Sequence, residues 1–375
     1  MNTYIPVNTP LFGGNEKKYL AECIDTGWIS SEGSFVKKFE NEFSAYCDRK
    51  FGVAVANGSA ALDIAIKALG ITAGDEVIMP AFSIISPLFS VMKQKATPVF
   101  VDSCPDTWNI NPKLIEEKIT PQTKAIIVVH TYGLPAAMDE ILAIAEKHRL
   151  YVIEDAAEVH GQTYNAKRCG SFGHISIFSF YANKLISSGE GGMILCDDDA
   201  LAARCRKYRN LSFEPDGPRF VHHETGWNYR MTNLQAAVGV AQLEQIEHFI
   251  GLKREIGNRY NSGLSFLKNH GYQIPLAKTA YATNIYWVFG LVAPSEKEKE
   301  KIVAFLKGKG VDTRPFFWSL NEQPLLISRE NTCRGRSTCP IAENLARCGF
   351  YIPSGLGLKM EEQEYIIETF KDYYE

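Results

Sequence analysis

Between about Lys50 and Cys196 the apolar and polar positions switch repeatedly between two periods, and each switch marks an element. Short, mostly apolar runs at Phe51–Ala56, Glu76–Met79, Pro98–Val101, Ala125–Val129 and Tyr151–Glu154 predict strands, and His174–Phe180 alternates like another. Ser59–Leu69 and Met138–His148 carry apolar residues at helical spacing. Strands without a polar face must be covered on both sides, so this βαβ alternation predicts a mostly parallel sheet between helical layers. After an irregular stretch, Phe213–Gly226, the spacing predicts one long helix over Asn233–Phe249. The remainder reads as a second unit. It has a strand at Asn284–Val292, a helix at Ser295–Leu306 opened by Ser295 and Glu298 as a capping box, a strand at Val311–Phe317 and a terminal helix at Lys359–Tyr374. The alternating charges of Glu296–Lys301 suit a solvated helix face. Two domains are expected, 1–250 and 251–375.

Composition narrows the function classes. Apolar residues make up 45% and charged residues 22%, enough for a substantial core. The 40 Lys and Arg against 43 Asp and Glu leave no basic excess, so no nucleic-acid or membrane partner is expected. Met1–Gly14 lacks the basic start and sustained apolar run of a signal peptide. The longest uncharged stretch, Val77–Met92, has 16 residues including Pro80 and Pro87, short of the roughly 20 that cross a bilayer. The nine cysteines are scattered singly, and even Cys333 and Cys339 lack zinc or redox spacing. Reduced, buried thiols in a cytoplasmic protein, with no metal site, are expected.

The chain contains no GxGxxG after a strand, no GxxxxGK[ST], no HExxH and no GxSxG. What remains is a set of residues at strand ends, where ligands gather in such sheets. Asp155 ends an apolar strand; alone, it could equally cap the next helix. Lys184 stands between an apolar strand and the glycine-rich Ser187–Gly192; alone, it could simply be solvated. Together they match one cofactor. Pyridoxal phosphate needs a lysine amine for its imine and an acid at its pyridine nitrogen. It also needs a phosphate cup, which Asn57-Gly58-Ser59-Ala60, opening a helix after a strand, can form with backbone N–H groups. Ser179 offers a hydroxyl to the same group.

Ordered matches along nearly the whole chain resemble the DegT–StrS family of pyridoxal-phosphate sugar aminotransferases. They include Asp25-Thr26-Gly27-Trp28-Ile29-Ser30-Ser31, Asn57-Gly58-Ser59-Ala60-Ala61-Leu62 and Val129-His130-Thr131-Tyr132-Gly133-Leu134-Pro135. Glu154-Asp155-Ala156-Ala157-Glu158, Ser179-Phe180-Tyr181-Ala182-Asn183-Lys184 and Gly189-Glu190-Gly191-Gly192-Met193 follow. Trp227-Asn228-Tyr229-Arg230-Met231-Thr232-Asn233, Asp312-Thr313-Arg314-Pro315 and Ile352-Pro353-Ser354 complete the set. The resemblance implies an α/β fold of the aspartate-aminotransferase type (fold type I), with a large domain on a mostly parallel sheet and a smaller C-terminal α+β domain. It implies a homodimer with shared active sites. It also implies amino transfer from L-glutamate, released as 2-oxoglutarate, to the C4 keto group of a nucleotide-linked 4-keto-6-deoxy sugar. Within the family the likeness is to members that act on GDP-4-keto-6-deoxy-mannose for surface polysaccharide biosynthesis.

Carried over by motif, Lys184 is the cofactor-bearing lysine and Asp155 the pyridinium partner. Gly58, Ser59 and Ser179 bind phosphate, Asn228 reaches the phosphate of the neighbouring subunit's cofactor, and Glu158 stands near the phenolic oxygen. Phe82 is expected to stack on the ring, and Ser30 and Arg314 to contact substrate. Two stretches depart from the GDP-sugar pattern: Asn321 stands before Glu322-Gln323-Pro324 where a histidine is usual, and Leu211–Thr225 differs. Both bear on substrate identity, leaving dTDP- and UDP-linked sugars as alternatives. The related dehydratase branch replaces the lysine with histidine, so Lys184 speaks against it. A non-catalytic sensor on the same scaffold would be free to lose Lys184 or Asp155, and both are present.

Overall fold

Seven strands form the central sheet: β1 (Phe51–Val55), β2 (Glu76–Pro80), β3 (Thr97–Val101), β4 (Thr123–Val129), β5 (Tyr151–Asp155), β8 (Ile175–Ser179) and β9 (Gly192–Cys196). Between β5 and β8 the chain makes a small ribbon, β6 (Thr163–Tyr164) with β7 (Lys167–Arg168). The computed structural model describes residues 4–214, 217–327 and 338–375; Cys333 lies outside them. The order is β1-β9-β8-β5-β4-β2-β3. All neighbours pair in parallel except β9, which is antiparallel to both β8 and β1. The sheet is therefore mostly parallel, as the apolar runs predict, with one strand reversed.

Alternation along the strands divides the core between two faces. Val53, Val55, Ala125, Ile127, Val129, Ile175 and Ile177 enter one apolar cluster, and their neighbours Ala54, Ile126, Val128 and Val152 enter the other. A third cluster, with Tyr260, Phe289, Leu291, Ile302, Leu306, Phe350 and Phe370, fills the C-terminal part. That part carries a smaller antiparallel sheet, β10 (Phe289–Val292), β12 (Gly349–Ile352) and β11 (Arg314–Pro315). Helix Ile246–Gly263 joins the two regions: Ile246, Phe249 and Ile250 pack in the second cluster, Ile256 and Tyr260 in the third. Among the described residues no helix is long and apolar enough to cross a membrane.

Three predicted elements come out broken or shorter. The helix expected over Asn233–Phe249 is two helices, Asn233–Leu243 and Ile246–Gly263. Glu244, at the break, accepts hydrogen bonds from Asn15 and Tyr19, while apolar residues keep helical spacing across it. The strand expected at Asn284–Val292 starts only at Phe289, because Tyr286 turns the chain through φ +50°. Val311–Phe317 keeps only Arg314–Pro315 as strand, since Val311 instead pairs with Ile5. Ser295 caps its helix, accepting the Glu298 N–H at 3.2 Å, but the reciprocal half of the expected capping box is missing, the Glu298 carboxylate accepting instead from the Tyr374 hydroxyl at 3.0 Å.

One buried cation gives this fold a pH signature. Lys253, 3% exposed on helix Ile246–Gly263, donates to the Ser354 carbonyl, and burial pushes its amine down to about 7 from an ordinary 10.5. Between those values the unfolded chain holds a proton that the folded chain has released. Stability should therefore rise with pH across that window, by up to about 1.4 kcal/mol per unit, and be flat in this respect below it. Lys253→Met should abolish the rising limb and raise the urea midpoint at pH 7. A limb that survives the substitution would assign it to another group.

Candidate active site

Because β1, β5 and β8 run the same way, their carboxyl ends meet at one edge of the sheet. A cavity of about 550 Å3 opens there. Its walls include Gly58 and Ser59 after β1, Asp155 and Glu158 at and beyond the end of β5, and Ser179 and Lys184 at and beyond the end of β8. Six of the residues singled out from the sequence thus converge from three strand ends. The C-terminal part closes the cavity with Trp287, Phe317 and Tyr351.

Each side chain is held by local structure. Asp155 is 3% exposed, and its Oδ1 accepts the Ala157 N–H at 3.2 Å. Burial pushes its carboxyl up to about 6, with the Ala157 N–H and the Lys184 charge working in the opposite direction. Glu158 Oε2 accepts the Tyr132 N–H at 2.8 Å, and burial raises its pKa against the pull of Lys184. The Lys184 amine lies 3.7 Å from the centroid of the Trp287 ring, and the lysine side chain is half-buried. Desolvation lowers its pKa, while Glu158 and then Asp155 oppose that fall. The arrangement is a lysine whose burial favours the neutral amine, beside two carboxyl groups whose burial favours the acid.

The same cavity holds an anion cup. Asn57 caps helix Gly58–Ala68, its Oδ1 accepting the Ala60 N–H at 2.8 Å. Helix geometry leaves the Gly58 and Ser59 N–H groups without intrahelical acceptors, at the positive end of the helix dipole. Gly58 lies so near β8 that a Cβ there would sit 2.8 Å from Ser179 Cβ and 3.3 Å from its Oγ. The glycine keeps that cradle open. Ser59 Oγ lies 2.8 Å from Ser86 Oγ, a second hydroxyl in the cavity wall that the sequence reading missed. An amine, a carboxyl group and an anion cup lining one cavity fit pyridoxal phosphate in chemistry. Gly58→Ala should weaken its binding by about tenfold or more, read by absorbance titration, and the crowding of the new methyl against Ser179 should cost about 1–3 kcal/mol of stability. Undiminished affinity would remove Gly58 from the cup.

Four expected residues lie elsewhere. Phe82 is a correction: it has no solvent exposure and packs edge-on against Tyr132, 5.8 Å between centroids, and against Phe316 and Phe317. A ring with no accessible surface presents no face to an open cavity, so Phe82 supports the wall from behind. Asn228 is exposed outside the cavity, its Oδ1 accepting from Arg230 Nε at 2.9 Å. Ser30 is exposed, and its carbonyl accepts the Asn233 N–H. Arg314 lines an adjoining cavity of about 310 Å3 that shares Tyr181, Asn183, Trp287 and Tyr351 with the first, and its guanidinium pairs with Asp312 at 2.8 Å. Trp287 was not picked out from the sequence. Its apolar run signals only burial, and the contact with Lys184 spans 103 positions of chain.

Next to the site, His130, Glu154 and Cys169 bring potential metal ligands within 4.8 Å of one another. Protein donors already serve two of the three: Glu154 accepts from Gly170, Phe172, Ser176 and His130, and His130 Nδ1 accepts the Ala136 N–H. The cluster is a buried hydrogen-bond network that anchors β5 behind Asp155.

Comparisons with known proteins bear directly on this geometry. A model of the DegT/DnrJ/EryC1/StrS aminotransferase family matches residues 11–371. The chain is similar to GDP-perosamine synthase of Escherichia coli O157:H7, 39% identical over 371 residues and 99% of each chain. It is similar to GDP-perosamine synthase of Vibrio cholerae, 36% identical over 373 residues and again 99% of each. The solved structure of S. venezuelae DesV superposes with a TM-score of 0.89 at 30% identity, covering 96% of this chain and 94% of that one.

Proposed function

Because the chain belongs to the DegT/DnrJ/EryC1/StrS aminotransferase family, we propose that it moves an amino group from L-glutamate to a nucleotide-linked 4-keto-6-deoxy sugar. GDP-4-keto-6-deoxy-mannose, giving GDP-perosamine, is the best match. The observation that carries the reading is the convergence of Lys184, Asp155, Glu158, Ser179 and the Gly58–Ser59 helix start on one cavity.

The chemistry supplied by bound pyridoxal phosphate is an electrophilic carbonyl and an electron-accepting ring. The residues of this chain do the rest. The Gly58 and Ser59 N–H groups, with Ser179 Oγ, hold the phosphate. Asp155, kept from water at the end of β5, holds a proton at the ring nitrogen. Glu158, fixed by the Tyr132 N–H, orients the ring from its phenolic side. Lys184 Nζ would take the proton that the amino donor's carbon loses and, in the second half-reaction, supply the one that the acceptor's new amine-bearing carbon gains; its lowered pKa favours the proton-accepting amine.

The active unit in this reading is a cytoplasmic homodimer whose Asn228 completes the partner's phosphate cup. Support comes from the exposure of Asn228 outside its own cavity, and from Trp28 and Ile29, two large apolar side chains about half exposed. An amide donates two hydrogen bonds without adding charge. Mixing inactive Asn228→Asp with inactive Lys184→Ala under subunit exchange should restore up to about half of the heterodimer sites, since one site then carries both lesions and the other neither. Mixtures that recover nothing would place Asn228 in its own subunit's service.

Substrate choice is tested by a panel of GDP-, dTDP- and UDP-linked 4-keto-6-deoxy sugars with glutamate, read by 2-oxoglutarate release. Turnover greatest with the GDP sugar is expected. Preference for a dTDP or UDP sugar would assign the departures at Asn321 and Leu211–Thr225 to a changed nucleotide.

A further inference from the structure

Lys184 and Trp287 come from distant parts of the chain, and the structure goes to some length to bring them together. The lysine lies in the turn between β8 and β9, the tryptophan in the segment entering β10. That segment is bent into place: Asn284 Oδ1 accepts the Tyr286 N–H at 2.7 Å, and Tyr286 takes φ +50°. Gly133 lets the segment approach, since a Cβ there would sit 2.6 Å from the Trp287 nitrogen. The indole Nε1 then donates to the Asn183 carbonyl at 2.8 Å, and the ring is 3.7 Å, centroid to amine, from Lys184. Trp287 is 7% exposed, leans on Tyr132 with centroids 6.0 Å apart, and lines the cavity.

We propose that Trp287 is a positioning residue for Lys184: its N–H pins the backbone one residue before the lysine, and its ring face receives the amine whenever that amine is not covalently engaged. An ammonium within about 6 Å of an indole face is attracted by the ring quadrupole, and the contact strengthens where water is scarce. Lysine is a point charge on a flexible four-carbon stem. A lysine that leaves and returns to one atom during turnover gains from a fixed resting place, because misplacement by about 1 Å can cost about a hundredfold in rate. The proposal rests on the role given to Lys184 above.

The test uses Trp287→Leu, which removes both contacts, and Trp287→Phe, which keeps a weaker ring face and loses the N–H. The first measurement needs no cofactor. In the cofactor-free chain, the pH midpoint of Lys184 acylation by acetic anhydride is read by peptide mass spectrometry. The titratable groups around the amine are Asp155, Glu158, His160, Glu190, Tyr181, Tyr351 and, across a small cleft, Lys253; both variants keep them all. Removing a ring that favours the ammonium should lower the midpoint by about 0.5–1.5 pH units in the leucine variant and by less in the phenylalanine variant. In the loaded enzyme, the leucine variant should lose about tenfold or more in kcat with KM for the nucleotide sugar nearly unchanged, and phenylalanine should recover part of it. Should leucine unfold the chain, the phenylalanine variant decides alone, because a benzene face holds a cation less well than indole and its midpoint must still fall. An unchanged or raised midpoint, or a loss confined to KM, overturns the proposal. Wild-type protein that never develops near-visible absorbance with pyridoxal phosphate would instead overturn the role of Lys184, whatever the titration shows.

Discussion

Lys184→Ala should abolish amino transfer while leaving the chain folded. The amine both carries the cofactor and moves a proton at the substrate carbon, and proton transfer of this kind is by itself worth about 10²–10⁴-fold. Among the described residues the amine donates no hydrogen bond; it rests against the Trp287 ring, and burial favours its neutral form, as it favours the acid forms of Asp155 and Glu158. The unfolding free energy read from urea melts should change by less than about 1 kcal/mol. The assay is 2-oxoglutarate release, with near-visible absorbance as the companion reading, which should vanish. Substantial turnover in the variant would sink the assignment.

Asp155→Asn should also cripple the enzyme, yet make the cofactor-free chain more stable at neutral pH. An amide cannot hold a proton at the ring nitrogen, so activity falls while the lysine can still carry the cofactor. The stability effect follows from burial. With the carboxyl pushed up to about 6, the folded chain binds a proton more tightly than the unfolded chain, whose carboxyl titrates near its ordinary 3.8. Stability therefore declines as pH rises from about 4 to 6 and stays low above that window, by about 3 kcal/mol at full ionisation. The asparagine variant does not titrate, so its urea midpoint should exceed wild type at pH 7.5 and converge with it below pH 4. Equal midpoints at both pH values would mean the carboxylate is better solvated than the fold implies. Near-wild-type activity would mean another group partners the ring.

How legible the site was depended on whether a residue's setting is local. Asp155 and Lys184 could be picked out because each follows an apolar strand, and Gly58–Ser59 because a strand-to-helix turn is written in adjacent residues. Phe82 shows the limit. It lies two residues beyond β2, and whether it faces the cavity or the core depends on the path of that turn, which put it against Tyr132. Trp287 was invisible for the opposite reason: its neighbours in sequence are apolar, and its partner is in another part of the chain. The shortened strand at Phe289 and the broken helix at Glu244 follow the same logic, since a left-handed Tyr286 and side-chain bonds to Asn15 and Tyr19 leave no trace in periodicity.

The reversed strand β9 has a consequence for how the protein is made. β1 has its sheet partner in β9, with Val55 opposite Gly192 and Phe51 opposite Cys196, so 137 to 145 residues separate the paired positions. At a synthesis rate of about 5–20 residues per second, β1 leaves the ribosome roughly 7–30 s before the strand that will cover its edge. Throughout that interval β3 and β4 can pair with β2, and β5 with β4, as each emerges, while β1 waits with its backbone unpaired. A nascent chain arrested before Gly192 should therefore be protease-sensitive around Phe51–Val55, and one arrested well beyond Cys196 protected there. The helix start at Gly58–Ser59 hangs directly from β1, so the anion cup is among the last pieces of the sheet to be set. A ribosome-bound chain acquires its cofactor site late, when the strand that reverses direction has emerged.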